Sequence, residues 1–149
     1  RRMLPDRLHA AGVDGPAVGQ LQRQGRIDVD GTTVLLDDVS EPRRGQVFAF
    51  VMDTAWCDRA VELAAGADLL VCESTFLEPE AALAARYGHL TARQAGRLAA
   101  EAGARRLVLT HFSARYDDAR AFADEASLEF QGDIVVAADL MRIGVPART

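Results

Sequence analysis

Two different rhythms of apolar and polar positions run along this chain. From residue 46 onward, apolar runs of strand length alternate with amphipathic stretches. Residues 46–52 (QVFAFVM), 68–72 (DLLVC) and 106–110 (RLVLT) read as buried strands. Short continuous apolar runs bounded by turn residues suit strands covered on both faces. Helical spacing covers 60–65, 79–86, 92–102 and about 117–129, with Thr91 as an N-cap and Gly103 as the stop of the third. Residues 134–137 and 141–145 are predicted as closing strands. The first 45 residues are more broken. A short helix is expected between Pro5 and Gly12, and a second from Pro16 to Gly25. Asp30-Gly31, between apolar 27–29 and 32–36, predicts a hairpin turn, and Pro42 and Gly45 punctuate the loop that follows. Strands alternating with helices predict an α/β layered architecture.

Composition narrows the function. At 149 residues, 49% hydrophobic and 26% charged, the chain has the make-up of one globular segment, 1–149, rather than of a disordered or fibrous one. No apolar run approaches the roughly 20 residues of a membrane-spanning helix, so no membrane association is expected. The first residues, Arg1-Arg2-Met3-Leu4, lead into no apolar signal region and read as an internal start. Two cysteines, Cys57 and Cys72, make no disulfide framework, which favours a reducing, cytoplasmic location. A net charge of −5 argues against nucleic-acid binding by bulk charge, though not by a local patch. All 17 basic residues are arginine, and there is no asparagine, a bias of base composition rather than a sign of RNA binding.

Chemistry gathers at the strand ends. The first run is followed by Asp53, the second by Glu73-Ser74-Thr75, the third by His111 and the fourth by Asp139. Carboxyl ends of strands are where α/β sheets place their sites. Two acids and an imidazole converging there would make a metal site or an acid–base site. Each residue also has a plainer reading: Asp53 as a helix cap or turn residue, Glu73 as a loop acid, Asp139 as structural, Cys72 as a buried small hydrophobe. His89, just ahead of the Thr91 helix, is either a proton donor or an exposed loop histidine, and His9 is a surface residue.

In order along the chain stand Met52-Asp53-Thr54, Cys72-Glu73-Ser74-Thr75-Phe76, Gly88-His89-Leu90-Thr91-Ala92 and Leu109-Thr110-His111-Phe112-Ser113-Ala114-Arg115-Tyr116. Together, and with Gly12-Val13-Asp14-Gly15-Pro16 upstream, they resemble the carboxyl-terminal half of ribonuclease Z, the tRNA 3′-processing endoribonuclease family of the metallo-β-lactamase superfamily. The resemblance covers nearly the whole chain. It implies the carboxyl-terminal half of an αββα metallo-β-lactamase sandwich, two zinc ions and a precursor tRNA substrate cut after the discriminator base.

By the same resemblance Asp53 would bridge the two zincs and His111 would be a terminal ligand of one. His89 would protonate the leaving oxygen, with Glu73 as its relay partner, and Arg115 would hold a phosphate. The family usually carries histidine where Cys72 stands. Its His-x-His-x-Asp-His cluster has no counterpart in the chain. The expectation is therefore half an active site, inactive alone, completed by an amino-terminal half of the same protein, with a homodimer as the assembly. Alternatives are another metallo-β-lactamase-fold phosphodiesterase or hydrolase, and a non-catalytic fragment.

Overall fold

The structure, a computed structural model, describes residues 1–148, which divide into two compact units. The first, residues 1–45, holds β1 (Arg2–Met3), α1 (Pro5–Ala10), α2 (Gly15–Gln24), β2 (Arg26–Val29), β3 (Thr32–Leu35) and β4 (Ser40–Glu41). Both helices carry proline at their first positions, where a missing N–H costs nothing. Helix α2 ends on Gly25 in the left-handed region, its N–H bonded to the Leu21 carbonyl. Strands β2 and β3 pair as the expected hairpin, with Asp30 and Gly31 both at positive φ, as a primed turn demands. The two-residue pairing of β1 with β4 was not foreseen. Leu8, Val13, Leu21, Ile27, Val34 and Val39 form this unit's own core.

The second unit holds β5 (Phe48–Val51), α3 (Asp58–Ala64), β6 (Leu69–Glu73), a 3₁₀ turn (Glu78–Glu80), α4 (Ala81–Tyr87), α5 (Ala92–Glu101), β7 (Arg106–Thr110), α6 (Arg120–Ser127) and β8 (Asp133–Val136). The four strands form one parallel sheet in the order β5-β6-β7-β8. Each returns to its neighbour through a helical crossover, as parallel pairing requires. Alternate residues Ala49, Val51, Leu70, Cys72, Leu107 and Leu109 enter a core with Ala64 of α3, Leu98 of α5 and Phe122 of α6. Phe48 and Phe50 point the other way and stay 56% and 54% exposed. Gly96 of α5 is needed where it stands, because a Cβ there would overlap the Ala126 carbonyl of α6.

One predicted element is absent. Residues 141–145 form no strand. Their backbone and that of the two residues after them meet side chains instead of a ladder: the carbonyls of Val145 and Pro146 accept from Gln46, that of Ala147 from Arg105 and that of Gly144 from Arg106. Pro146, directly after the segment, cannot donate to a sheet, and Gly144 has no side chain to pack on one. Among the described residues no helix is long and apolar enough to cross a membrane.

Candidate metal and proton-transfer site

Three adjacent parallel strands deliver the site. Asp53 follows β5, Glu73 closes β6 and His111 follows β7, so all three side chains emerge at the carboxyl edge of one sheet. Asp53 and His111 turn the chain sharply, at φ 50° and 60°. Non-glycine residues in this left-handed region carry strain, and such strain concentrates at functional sites. His89 arrives from the loop between α4 and α5. The Gly88 C-cap, at φ 76°, ends α4, and a capping box of Thr91 with Gln94 starts α5. Leu90, at the end of the same loop, is completely buried, which seats His89 beside the sheet edge.

The organising group is Glu73, whose carboxylate is completely buried. A buried charge is tolerated only when its acceptor positions are filled. Glu73 accepts from the Thr54 amide at 2.7 Å, the Thr75 hydroxyl at 2.6 Å, the Leu90 amide at 3.2 Å and His89 Nδ1 at 3.1 Å. Those four donors belong to the Asp53 turn, the β6 exit and the His89 loop. One acid therefore ties three of the segments together. On the outer side, Asp53 Oδ1 lies 3.3 Å from His111 Nε2 and 4.0 Å from His89 Nδ1. The two imidazoles stand 5.3 Å apart, tilted by 46°.

Asp53, His89 and His111 each offer a ligand atom, and these atoms lie within 4.8 Å of one another. One carboxylate and two imidazoles with this spacing suit a borderline divalent metal better than a hard one that prefers oxygen alone. The donor set fits. His89 differs from the other two because its Nδ1 is already engaged by Glu73, leaving Nε2 as its working nitrogen.

The sequence profile of the beta-lactamase superfamily domain matches residues 21–112. The chain belongs to that superfamily. It is 60% identical over 147 residues to the ribonuclease Z of Salinispora arenicola, covering 99% of this chain and 48% of that protein. It thus spans about half the length of the curated relatives it matches. Among solved structures it is similar to the metallo-β-lactamase-fold protein YhfI of Bacillus subtilis, at 30% identity and TM-score 0.57, over 60% of this chain and 36% of that one. It is also similar to human tRNase Z, short form, at 29% identity and TM-score 0.54, over 77% and 37%. The α/β expectation and the metallo-β-lactamase fold stand together on these findings.

Within this superfamily member the remaining expected residues fall at different distances from the cluster. Arg115 is exposed, its guanidinium 5.1 Å over the Phe76 ring, and that ring lies 6.1 Å from the His89 ring. Its neighbour Tyr116 accepts from the Leu77 amide and donates to Glu80, which ties the loop after His111 to the loop after β6. Burial, with the hydrogen bond to Glu80, raises the Tyr116 hydroxyl above its ordinary range. Cys72 is buried in the core, and burial, with Glu73 next to it, pushes its thiol up to about 12. It stays a neutral hydrophobe. Asp139 sits exposed in a turn, and His9 is exposed on α1. The residue that sequence reading passed over is Thr75. Its hydroxyl lies 2.8 Å from His111 Nδ1. The available signal was its spacing: two residues after Glu73 in extended chain, it returns to the side on which the acid lies.

Proposed function

We propose that the protein carrying this chain is a zinc-dependent endoribonuclease that processes the 3′ end of precursor tRNA. In this reading residues 1–149 supply the carboxyl-terminal half of its metallo-β-lactamase αββα domain. The observation that carries the reading is the juxtaposition of two pairs: Asp53 with His111 at 3.3 Å, and Glu73 with His89 at 3.1 Å. A ligand pair and an acid-backed imidazole side by side are what hydrolysis of a phosphodiester needs. The names of the relatives support the substrate: ribonuclease Z at 60% identity, and a human structure named as a tRNase Z.

Asp53 and His111 are the residues of this chain that would hold the metal in the complete site. Bound zinc supplies charge neutralisation at the phosphate and activation of the attacking water. His89 keeps Nδ1 on Glu73 and gives the proton on its other nitrogen to the departing 3′-oxygen, so the tRNA leaves with a 3′-hydroxyl. Glu73 keeps the ring from rotating and stabilises it while it carries both protons. Arg115 holds a phosphate by two parallel N–H bonds. An amino-terminal half completes the metal site and covers the sheet face bearing Phe48 and Phe50. The working protein is a cytoplasmic homodimer.

Incubating the full protein with a precursor tRNA and, separately, with a small chromogenic phosphodiester tests this. The expected outcome is one cut after the discriminator base, leaving a 3′-hydroxyl. Turnover of the small diester without tRNA cleavage would replace the proposal with a different phosphodiesterase of the same fold. Turnover of neither would point to a non-catalytic role for the protein.

A further inference from the structure

We propose that Thr75 is a positioning residue that fixes the tautomer of His111 and so directs its Nε2 toward the metal. The proposal rests on the reading of His111 as a metal ligand. Thr75 is 7% exposed and stands between Glu73 and His111. Its hydroxyl oxygen lies 2.6 Å from Glu73 Oε2 and 2.8 Å from His111 Nδ1. A hydroxyl has one proton to donate and lone pairs to accept with, whereas a carboxylate accepts alone. The Thr75 proton therefore goes to Glu73, and the Thr75 oxygen accepts the proton carried by His111 Nδ1. A neutral imidazole protonated on Nδ1 keeps its lone pair on Nε2. That atom is the one 3.3 Å from Asp53 Oδ1, within the donor cluster.

The backbone supports the same alignment from both sides of His111. The Ser74 amide donates to the Thr110 carbonyl at 2.9 Å, and the Ser113 amide donates to the Thr75 carbonyl at 3.0 Å. These bonds clamp the strained turn at His111 against the β6 exit that carries Thr75. The arrangement is a carboxylate–hydroxyl–imidazole chain, a longer form of the acid–histidine pairs that orient ligands around metals. Glu73 thus orders both imidazoles, His89 by direct contact and His111 through one hydroxyl.

The test uses the full protein as wild type, Thr75→Val, Thr75→Ser and His111→Ala. Zinc affinity is measured by competition with a chromophoric chelator, and the protonated ring nitrogen of His111 by long-range ¹H–¹⁵N correlation. Thr75→Val keeps the shape and loses the hydroxyl, and should lower zinc affinity by about 10–100-fold. Thr75→Ser should stay near wild type. The spectrum should show the His111 proton on Nδ1 in wild type and Thr75→Ser. Unchanged affinity in Thr75→Val while His111→Ala loses zinc would overturn the role of Thr75 and leave the ligand reading intact. Retention of zinc by His111→Ala would remove the ligand reading, and the proposal with it. Equal loss in both Thr75 variants would overturn a role for the hydroxyl. Were Thr75→Val unable to fold, a wild-type His111 proton found on Nε2 would still overturn the proposal.

Discussion

Asp68 and Glu73 are buried carboxylates at opposite ends of β6, and they differ in what satisfies them. Glu73 is met by amides, a hydroxyl and an imidazole, all belonging to the candidate site. Asp68 is met by the Val47 amide and the guanidiniums of Arg148 and Arg105, away from any chemistry. The Val47 amide, with the two arginines, outweighs burial and holds the Asp68 carboxyl below the usual carboxylate range. A folded-state pKa below the unfolded value of about 3.9 stabilises the fold fully above roughly pH 4. That contribution is lost as pH falls through the lower, folded-state pKa. Asp68→Asn should therefore be less stable than wild type at neutral pH and show a shallower loss of stability in acid. Urea unfolding from pH 7 to pH 2 checks this, and parallel pH profiles would contradict it. Asp53, Glu73 and His111 were legible as a set because each ends an apolar run, and parallel strands bring such ends together. Thr75 was not legible as a participant, since its partner ring lies 36 positions away and hydroxyls after strands are common.

At the scale of elements, the parallel strands and the Asp30-Gly31 hairpin were legible because burial and turn chemistry are local. Residues 141–145 misled for the opposite reason. Their apolar pattern suits a strand, yet what decides is a pair of side-chain donors, Gln46 and Arg106, contributed from elsewhere in the chain. Helix positions were found, but nothing in one helix alone announces how closely two will approach. Gly96 is the case in point. In an exposed helix, Gly→Ala gains up to about 1 kcal/mol. Here the added methyl meets the backbone of α6, which cannot step aside as a flexible side chain would. Gly96→Ala should cost about 1–3 kcal/mol, the usual penalty of overpacking. For a chain of this size that is roughly 2–4 °C of Tm per kcal/mol. A thermal melt in which Gly96→Ala matches or exceeds wild type would show that α5 and α6 are not packed this closely.

For the molecule as a whole, the four-stranded sheet is covered by helices on one face, while Phe48 and Phe50 on the other remain more than half exposed. Aromatic side chains left open on a sheet are unusual unless something covers them. With a chain about half the length of its curated relatives, an amino-terminal half is the occupant the proposed function calls for. The same reading bears on metal. If His89 serves as a proton donor, Asp53 and His111 are left as ligands, and two ligands give little of the affinity of a four-ligand site. Calorimetry on the isolated 149-residue chain should show weak zinc binding. Tight, stoichiometric uptake would require further ligands from within this chain, with His89, the third donor of the cluster, as the first to test.

The proposed function divides labour at one sheet edge: Asp53 and His111 would hold metal, and His89, backed by Glu73, would move a proton. The most direct test pairs zinc content with single-turnover cleavage of a precursor tRNA in the full protein, for His89→Ala and Asp53→Ala. His89→Ala should retain zinc and lose about 10²–10⁴-fold in rate, the usual worth of a positioned general acid. Asp53→Ala should lose zinc and activity together. Loss of zinc from His89→Ala would make His89 a ligand, and near-wild-type cleavage by that variant would leave it a half-buried loop histidine with no part in the reaction.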